Sequence, residues 1–105
     1  MPEISKHLDG VTLINIFTVA PANQRQLVEL LIHATESSIR QVKGSISASF
    51  HRSLDGTKVA VYAQWQSAED YQEMRKNPIS TPYMEQALAL AKFDSGIYKV
   101  VESIG

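Results

Sequence analysis

Two hydrogen-bonding side chains stand where the sequence otherwise predicts buried strands. Asn15 is an amide between the apolar residues Leu13 and Phe17, and Trp65 is the chain's single tryptophan. A buried amide without a hydrogen-bond partner costs about 1–3 kcal/mol. Asn15 is therefore expected either to face a ligand pocket or to satisfy a neighbouring backbone group. Trp65 either lines that pocket or packs in the core.

The segment that contains Trp65 is predicted to run from a strand into a helix. Every second residue from Val59 to Trp65 is apolar, which is typical of a half-buried strand. Ser67 then stands at the N-cap position with Asp70 three residues later, a capping box with Asp in place of Glu. Tyr71 lies in the first turn of that helix. Its phenol and the indole N–H thus lie near one sheet–helix seam, where a small-molecule pocket can open.

The composition describes one ordinary domain and excludes several kinds of site. The 105 residues match the commonest domain size, and 44% of them are hydrophobic. There is no cysteine, which excludes disulfides, cysteine-ligated zinc, iron–sulfur clusters and a cysteine nucleophile, and which fits a cytoplasmic location. The net charge of −1 predicts no nucleic-acid partner. Residues 1–10 are polar and unlike a signal peptide, and no apolar run is long enough to span a membrane.

Alternation of apolar residues and the placing of turn residues predict four strands, at 11–20, 45–53, 58–66 and 93–102. Asp55-Gly56 predicts a hairpin between the second strand and the third. Ser95-Gly96 predicts an interruption of the last strand. In the second strand, the apolar residues expected to face the core are Ile46, Ala48 and Phe50.

Helical spacing of apolar residues predicts a long first helix. It begins at Ala22 or Asn23, reaches about Val42 and stops at Gly44. The residues expected on its inner stripe are Leu27, Leu30, Leu31, Ala34 and Ser38. A second helix is predicted over 67–76 and a third over 81–91. Pro78 lies between these two helices, and Pro82 lies at the start of the third.

The element order β-α-β-β-α-β predicts an α+β, ferredoxin-like fold, in which helices cover one face of an antiparallel sheet. We interpret residues 1–105 as a single domain with an N-terminal tail at 1–10 and a core at 11–102. The uncovered sheet face would still carry Ile14, Ile16 and Tyr62. A second copy of the chain is the simplest cover for such a face, so the sequence predicts a homodimer.

Three segments also resemble a known family. They are Val11–Val19, the hairpin Gly44–Gly56, and Tyr62-Ala-Gln-Trp65 followed by Ser67. They are similar to the antibiotic biosynthesis monooxygenase domain, whose members form a dimeric α+β barrel. The resemblance covers about residues 11–101. It implies the same fold and the same dimeric assembly for this chain.

The best-understood members of that family oxidise aromatic polyketide anthrones to quinones with O₂, using no metal, flavin or haem. The resemblance implies a cofactor-independent monooxygenase acting on an electron-rich aromatic or quinol-type molecule. Asn15 matches the family's first-strand Asn, Trp65 its third-strand Trp, and Tyr71 a pocket tyrosine of some members. By this resemblance Asn15 donates a hydrogen bond to the substrate oxygen, Trp65 orients the ring and donates its N–H, and Tyr71 gates the pocket or relays a proton. The residues expected to complete the pocket are Leu13, Phe17, Phe50 and Val61.

Two positions depart from the family pattern. Val61 stands where members have a second Asn, and Met84–Gln86 occupies the region of a pocket arginine. These departures keep a second interpretation open, namely a non-catalytic small-molecule-binding dimer on the same scaffold. A haem-degrading branch uses a histidine in the second helical region, but none follows His51. His7 and His33 are interpreted as surface residues, and no His, Asp and Glu cluster has the spacing of metal ligands.

Overall fold

The elements of the fold are seen in a computed structural model, which describes residues 10–39, 42–76 and 81–105. In chain order they are β1 (Val11–Val19), α1 (Gln24–Ala34), β2 (Ser45–Arg52), β3 (Lys58–Trp65), α2 (Ala68–Lys76), α3 (Thr81–Leu90) and β4 (Ala91–Tyr98). A short 3-10 turn, Pro21–Asn23, precedes α1, and a wider π-helical turn, Thr35–Ile39, continues it. The predicted order of strands and helices is therefore the order observed.

The strands form one antiparallel sheet in the order β2-β3-β1-β4. On β3 the alternate residues Val59, Val61, Ala63 and Trp65 are all buried, as the sequence predicted. They pack together with Leu27 of α1, Tyr71 of α2 and Ala87 of α3. All three helices thus cover the same face of the sheet, and the ferredoxin-like prediction is confirmed.

The opposite face of the sheet carries the apolar residues that the sequence placed there. Ile14 lies directly across the β1–β3 ladder from Tyr62, and Ile16 lies across from Ala60. All of these are half-buried in the single chain. No helix in the described part of the chain is long and apolar enough to cross a membrane.

The hairpin between β2 and β3 is tied to the start of α1. Gly56 has φ +83°, a left-handed conformation that the predicted Asp-Gly turn requires. The side-chain amide of Gln24 donates hydrogen bonds to the carbonyls of Ser53 and Lys58, at 3.1 and 3.0 Å. These bonds satisfy a buried polar side chain and fix where α1 begins relative to the sheet.

The start of α2 is capped as predicted. Ser67 Oγ accepts a hydrogen bond from the Asp70 backbone N–H at 3.1 Å. Gly44 O accepts one from the Gln66 N–H at 2.8 Å, which joins this turn to the entry of β2. Gly44 has φ +89°, and a Cβ there would overlap the Asp70 side chain. Glycine is required at this position for both reasons.

Three details differ from the sequence predictions. A bulge between Ser45 and Ser47 turns Ile46 outward, where it is 48% exposed, because the extra residue shifts the alternation by one. β4 continues through Ser95 and Gly96 without interruption, since both remain paired with β1, and it ends at Tyr98. The first helix is α-helical only to Ala34. The tail before residue 10, the Ser38 side chain and Pro78 lie outside what the structure describes.

Candidate active site

A cavity of about 250 Å³ lies between the helix-covered face of the sheet and the three helices. Its walls include every residue that the sequence proposed for a site, namely Leu13, Asn15, Phe17, Phe50, Val61, Trp65 and Tyr71. Small-molecule pockets usually measure about 300–1,000 Å³, so this cavity suits a compact ligand.

Asn15 stands between the two apolar clusters that make up the core. Leu13, two residues before it, packs with Ala63, Trp65 and Tyr71, whereas Phe17, two residues after it, belongs to the cluster around Leu27. The cavity is lined by members of both clusters. The amide is therefore the polar group placed where the packed core opens.

The Asn15 side chain has a buried polar atom without a hydrogen-bond partner among the described residues. Its Oδ1 is completely buried and has no hydrogen-bond partner among the described residues, although the residue as a whole is only half-buried. Leaving an amide oxygen unpaired costs about 1–3 kcal/mol. The amide nitrogen is the other polar atom of this side chain. Nδ2 is a donor only.

Trp65 and Tyr71 form one wall of the cavity. Trp65 is 2% exposed and Tyr71 is 4% exposed. Their ring centroids lie 5.7 Å apart at an interplanar angle of 64°, an edge-to-face arrangement. The strand-to-helix connection through Ser67 thus brings together the two aromatic residues that the sequence placed at one seam.

The structure adds cavity residues that the sequence analysis did not single out. Arg75 lines the cavity one helical turn after Tyr71, and that spacing could have revealed it, since residues four apart share a helix face. Tyr83 of α3 also lines the cavity, and its hydroxyl lies 3.1 Å from Ser37 Oγ. No pattern in the sequence pairs these two residues, because they meet only through tertiary packing. His33, interpreted as a surface residue, is exposed and contacts the Tyr83 ring edge-on at 5.9 Å.

No cluster of three or more His, Asp or Glu side chains that could hold a metal ion occurs within residues 10–39, 42–76 and 81–105. The polar side chains around the cavity instead carry hydroxyls, one amide, one indole N–H and two charged groups. They are Asn15, Thr35, Ser45, Ser47, Trp65, Tyr71, Arg75, Thr81, Tyr83 and Glu85. Such groups can hold and orient a ligand through hydrogen bonds.

A ferredoxin-like sheet with a mostly apolar cavity between its helix-covered face and the helices defines a small α+β domain. Residues 10–86 match the model of the family described as antibiotic biosynthesis monooxygenase. The match spans well over half of the chain, so the protein belongs to this family. The resemblance drawn from the sequence is thereby confirmed.

Individual relatives support the same assignment. The chain is 38% identical over 105 residues to the tetracenomycin-F1 monooxygenase of Streptomyces glaucescens, covering 100% of this chain and 94% of that protein. It is 33% identical to the monooxygenase ActVA-Orf6 of Streptomyces coelicolor, solved with the ligand nanaomycin D, with a TM-score of 0.82 over 90% of each chain. SnoaB of Streptomyces nogalater, a cofactor-independent oxygenase, shares the fold at 22% identity, with a TM-score of 0.79 over 91% of this chain and 97% of that one.

Proposed function

We propose that this protein is a cofactor-independent monooxygenase that oxidises an electron-rich aromatic or quinol-type small molecule with O₂. The observation that carries the proposal is the buried, unpaired amide oxygen of Asn15 at the wall of an apolar cavity. A native structure tolerates such a group where function requires it. Similarity to a tetracenomycin-F1 monooxygenase supports an aromatic substrate.

The chemistry needs little from the protein beyond a dry, oriented site. In an anthrone-type substrate, a ring CH₂ loses both hydrogens and gains one oxygen atom of O₂, and the second oxygen atom leaves as water. The substrate becomes reactive toward O₂ once it loses a C–H proton and its oxygen takes on negative charge. Hydrogen-bond donors aimed at that oxygen stabilise the charge, most effectively where water is excluded.

Each of the three polar or aromatic residues has a role in this proposal. The Nδ2 group of Asn15, a residue that lines the cavity, donates a hydrogen bond to the substrate oxygen. Trp65 stacks against the substrate ring and donates its indole N–H. Tyr71, held edge-on by Trp65, gates the cavity or relays the proton that the substrate loses. The apolar wall residues Leu13, Phe17, Phe50 and Val61 keep water out.

We also propose that two copies pair through the sheet face that the helices leave uncovered. That face carries Ile14, Ile16 and Tyr62 at adjoining positions of β1 and β3. Burying such a surface against a second copy removes apolar area from water. This arrangement would leave the cavities on the outer, helical sides of the dimer.

Oxygen consumption with 1,8-dihydroxyanthrone as the probe tests the proposed reaction. The assay contains a metal chelator and no added flavin, and it compares the wild type with Asn15→Ala and Trp65→Phe. Gln72→Ala serves as a control, because Gln72 is exposed on α2 and does not line the cavity. We expect quinone formation in the wild type and in the control, and at least a tenfold loss in both cavity variants, corresponding to about 1.4 kcal/mol of transition-state stabilisation each.

Labelled oxygen gas makes the test specific for a monooxygenase. One labelled atom should appear in the quinone and one in water. Release of hydrogen peroxide with no label in the quinone would contradict the proposal. Saturable binding of the probe without any oxygen uptake would instead support the alternative, a non-catalytic binding dimer. Val61 favours that alternative because it makes the position paired with Asn15 across the β1–β3 ladder apolar.

A further inference from the structure

Helix α3 forms one wall of the cavity, and its apolar anchor consists of the buried Ala87 and the half-buried Leu90. Thr81, Tyr83 and Met84 all line the cavity. Ala87 is the only buried residue of α3, all ten of whose residues are described, and Leu88 is 49% exposed. A helix that buries so little apolar area gains little from the hydrophobic effect. Polar contacts therefore carry a larger share of its attachment than is usual for a helix.

A solvent-exposed hydrogen bond between Tyr83 and Ser37 joins α3 to the turn that follows α1. The two oxygens lie 3.1 Å apart. Ser37 Oγ also donates to the His33 carbonyl oxygen at 2.6 Å. A serine hydroxyl has one hydrogen, so Ser37 must accept from Tyr83 while it donates to His33. The phenolic hydrogen of Tyr83 is therefore used to hold α3 and is not offered to a ligand.

The end of α1 is shaped to present Ser37 to α3. Residues Thr35–Ile39 form a π-helical turn, which is wider than an α-helical turn. Thr35 Oγ1 donates to the Leu31 carbonyl at 2.9 Å, which parallels the bond of Ser37 to His33. Hydroxyls that bond back to a carbonyl four residues earlier bend a helix. The exposed His33 ring packs edge-on against the Tyr83 ring, with 5.9 Å between the ring centroids.

We propose that the Ser37–Tyr83 hydrogen bond is a latch that holds α3 against the end of α1 and sets the rate at which ligands enter and leave the cavity. Tyr83 is then a positioning residue, since it acts through the placement of α3. The proposal requires only that the cavity binds a ligand, so it holds for the oxygenase and for the non-catalytic alternative. It adds to the proposed reaction a residue that controls exchange and not chemistry.

The test measures exchange directly, with Trp65 as the reporter. The single tryptophan lines the cavity, so a bound quinone quenches its fluorescence. The probe is 1,8-dihydroxyanthraquinone, which does not react with O₂, and stopped-flow mixing gives its association and dissociation rates. The variants are Ser37→Ala and Tyr83→Phe, which break the same bond from its two ends. Gln86→Ala is the control, because Gln86 is exposed on α3 and does not line the cavity.

We expect both latch variants to raise association and dissociation rates together, each about fivefold, as loss of one neutral hydrogen bond allows. The dissociation constant should change by less than the rates do. Ser37→Thr keeps a hydroxyl and should restore the slow rates. In steady-state oxygen uptake, the fold-change in kcat of each latch variant should be no larger than its fold-change in KM. Asn15→Ala should instead lower kcat.

Two results would overturn the latch. Rates equal to those of the wild type in both variants would show that the bond does not limit exchange. A change in Tyr83→Phe alone would show that the phenol acts on the ligand itself. A quinone that does not bind the wild type would also remove the premise of the latch. If one variant does not fold, the ligand exchange rates and the hydrogen exchange of the α3 amides are measured in the other. The latch requires faster exchange in α3 and unchanged exchange in α2.

Discussion

Asn15 on β1 and Val61 on β3 are direct partners across the antiparallel ladder, and both line the cavity. Side chains at such positions lie within about 4.5–5.5 Å of each other at Cβ. Val61 offers no hydrogen-bond donor to the buried Asn15 Oδ1, which has no partner among the described residues. The polar character of this part of the cavity is thus decided by one cross-strand pair.

Val61→Asn should supply the missing donor. The new amide can donate to Asn15 Oδ1, which would offset the cost of placing a polar group at a site that is 9% exposed. It would also hold Asn15 Nδ2 toward the ligand. We expect oxygen uptake to rise and the free energy of unfolding in urea to change by less than about 1 kcal/mol. In an Asn15→Leu background the same substitution lacks its acceptor and should cost about 1–3 kcal/mol. Equal costs in both backgrounds would show that the two side chains do not pair.

Tyr71→Phe separates the phenol of Tyr71 from its ring. The edge-to-face contact with Trp65 is kept, so the free energy of unfolding should fall by less than about 1 kcal/mol. Tyr71→Ala removes the ring and should cost about 3–5 kcal/mol. If the hydroxyl gates the cavity or relays a proton, Tyr71→Phe lowers oxygen uptake although the protein stays folded, with an unfolding free energy within about 1 kcal/mol of the wild type. Full activity in a stable Tyr71→Phe protein would assign Tyr71 to packing alone.

Gly44→Ala should destabilise the protein for two separable reasons. The left-handed φ of +89° costs a residue with a Cβ about 1–2 kcal/mol, and the added Cβ also overlaps Asp70. The double variant Gly44→Ala, Asp70→Ala removes the Asp70 Cγ and Oδ2 but keeps its Cβ, which also overlaps, so it should recover only a share of the second part. Gly56→Ala is a matched control, because φ there is +83° but the nearest contact of a new Cβ would be Pro21 Cβ at 3.3 Å. Urea denaturation of the wild type, the two single variants and the double variant gives the free energies of unfolding. A loss in Gly44→Ala no larger than the loss in Gly56→Ala would contradict the overlap.

Asp55 in the β2–β3 turn should make stability sensitive to acid. The hydroxyl and then the backbone N–H of Thr57, followed by the Ser53 hydroxyl, donate to its carboxylate and lower its pKa from 3.8 to about 2. A lowered folded-state pKa adds stability above pH 3.8, and that stability is lost as the pH falls toward about 2. As the pH falls from 3.8 toward about 2, the melting temperature of Asp55→Asn should therefore fall by less than that of the wild type. Thr57→Val, which keeps the N–H donor, should fall between them. If the melting temperatures of all three proteins fell equally with pH, the hydrogen bonds of this turn would not be the cause.

Ile16→Glu should dissociate the proposed dimer without unfolding the subunit. Ile16 is half-buried on the sheet face opposite the helices, and a charge buried there against a second copy would lack a partner. Sedimentation should give the mass of a monomer with an unchanged far-ultraviolet circular dichroism spectrum. Gln72→Glu, on the exposed side of α2, should leave the mass as in the wild type. A dimer that survives Ile16→Glu would place the interface elsewhere.

Local patterns were sufficient to predict most of the fold. The alternation on β3, the Asp-Gly turn and the Ser67 cap each specify a local conformation, because side-chain direction, φ and backbone hydrogen bonds are set by neighbouring residues. The bulge that exposes Ile46 was not predicted, because a bulge depends on how two strands pair. The unbroken course of β4 through Ser95 and Gly96 has the same origin, since pairing with β1 overrides the weak strand propensity of those residues.

The sequence by itself determined the candidate residues on β1, on β3 and at the start of α2, because each lies inside one periodic segment. Tertiary structure alone decided that Asn15 faces Val61, that its Oδ1 has no partner among the described residues, and that Tyr83 reaches Ser37. These relationships join residues far apart in the chain. They follow from the register of strands and the packing of helices, which depend on the whole core, and no local pattern encodes them.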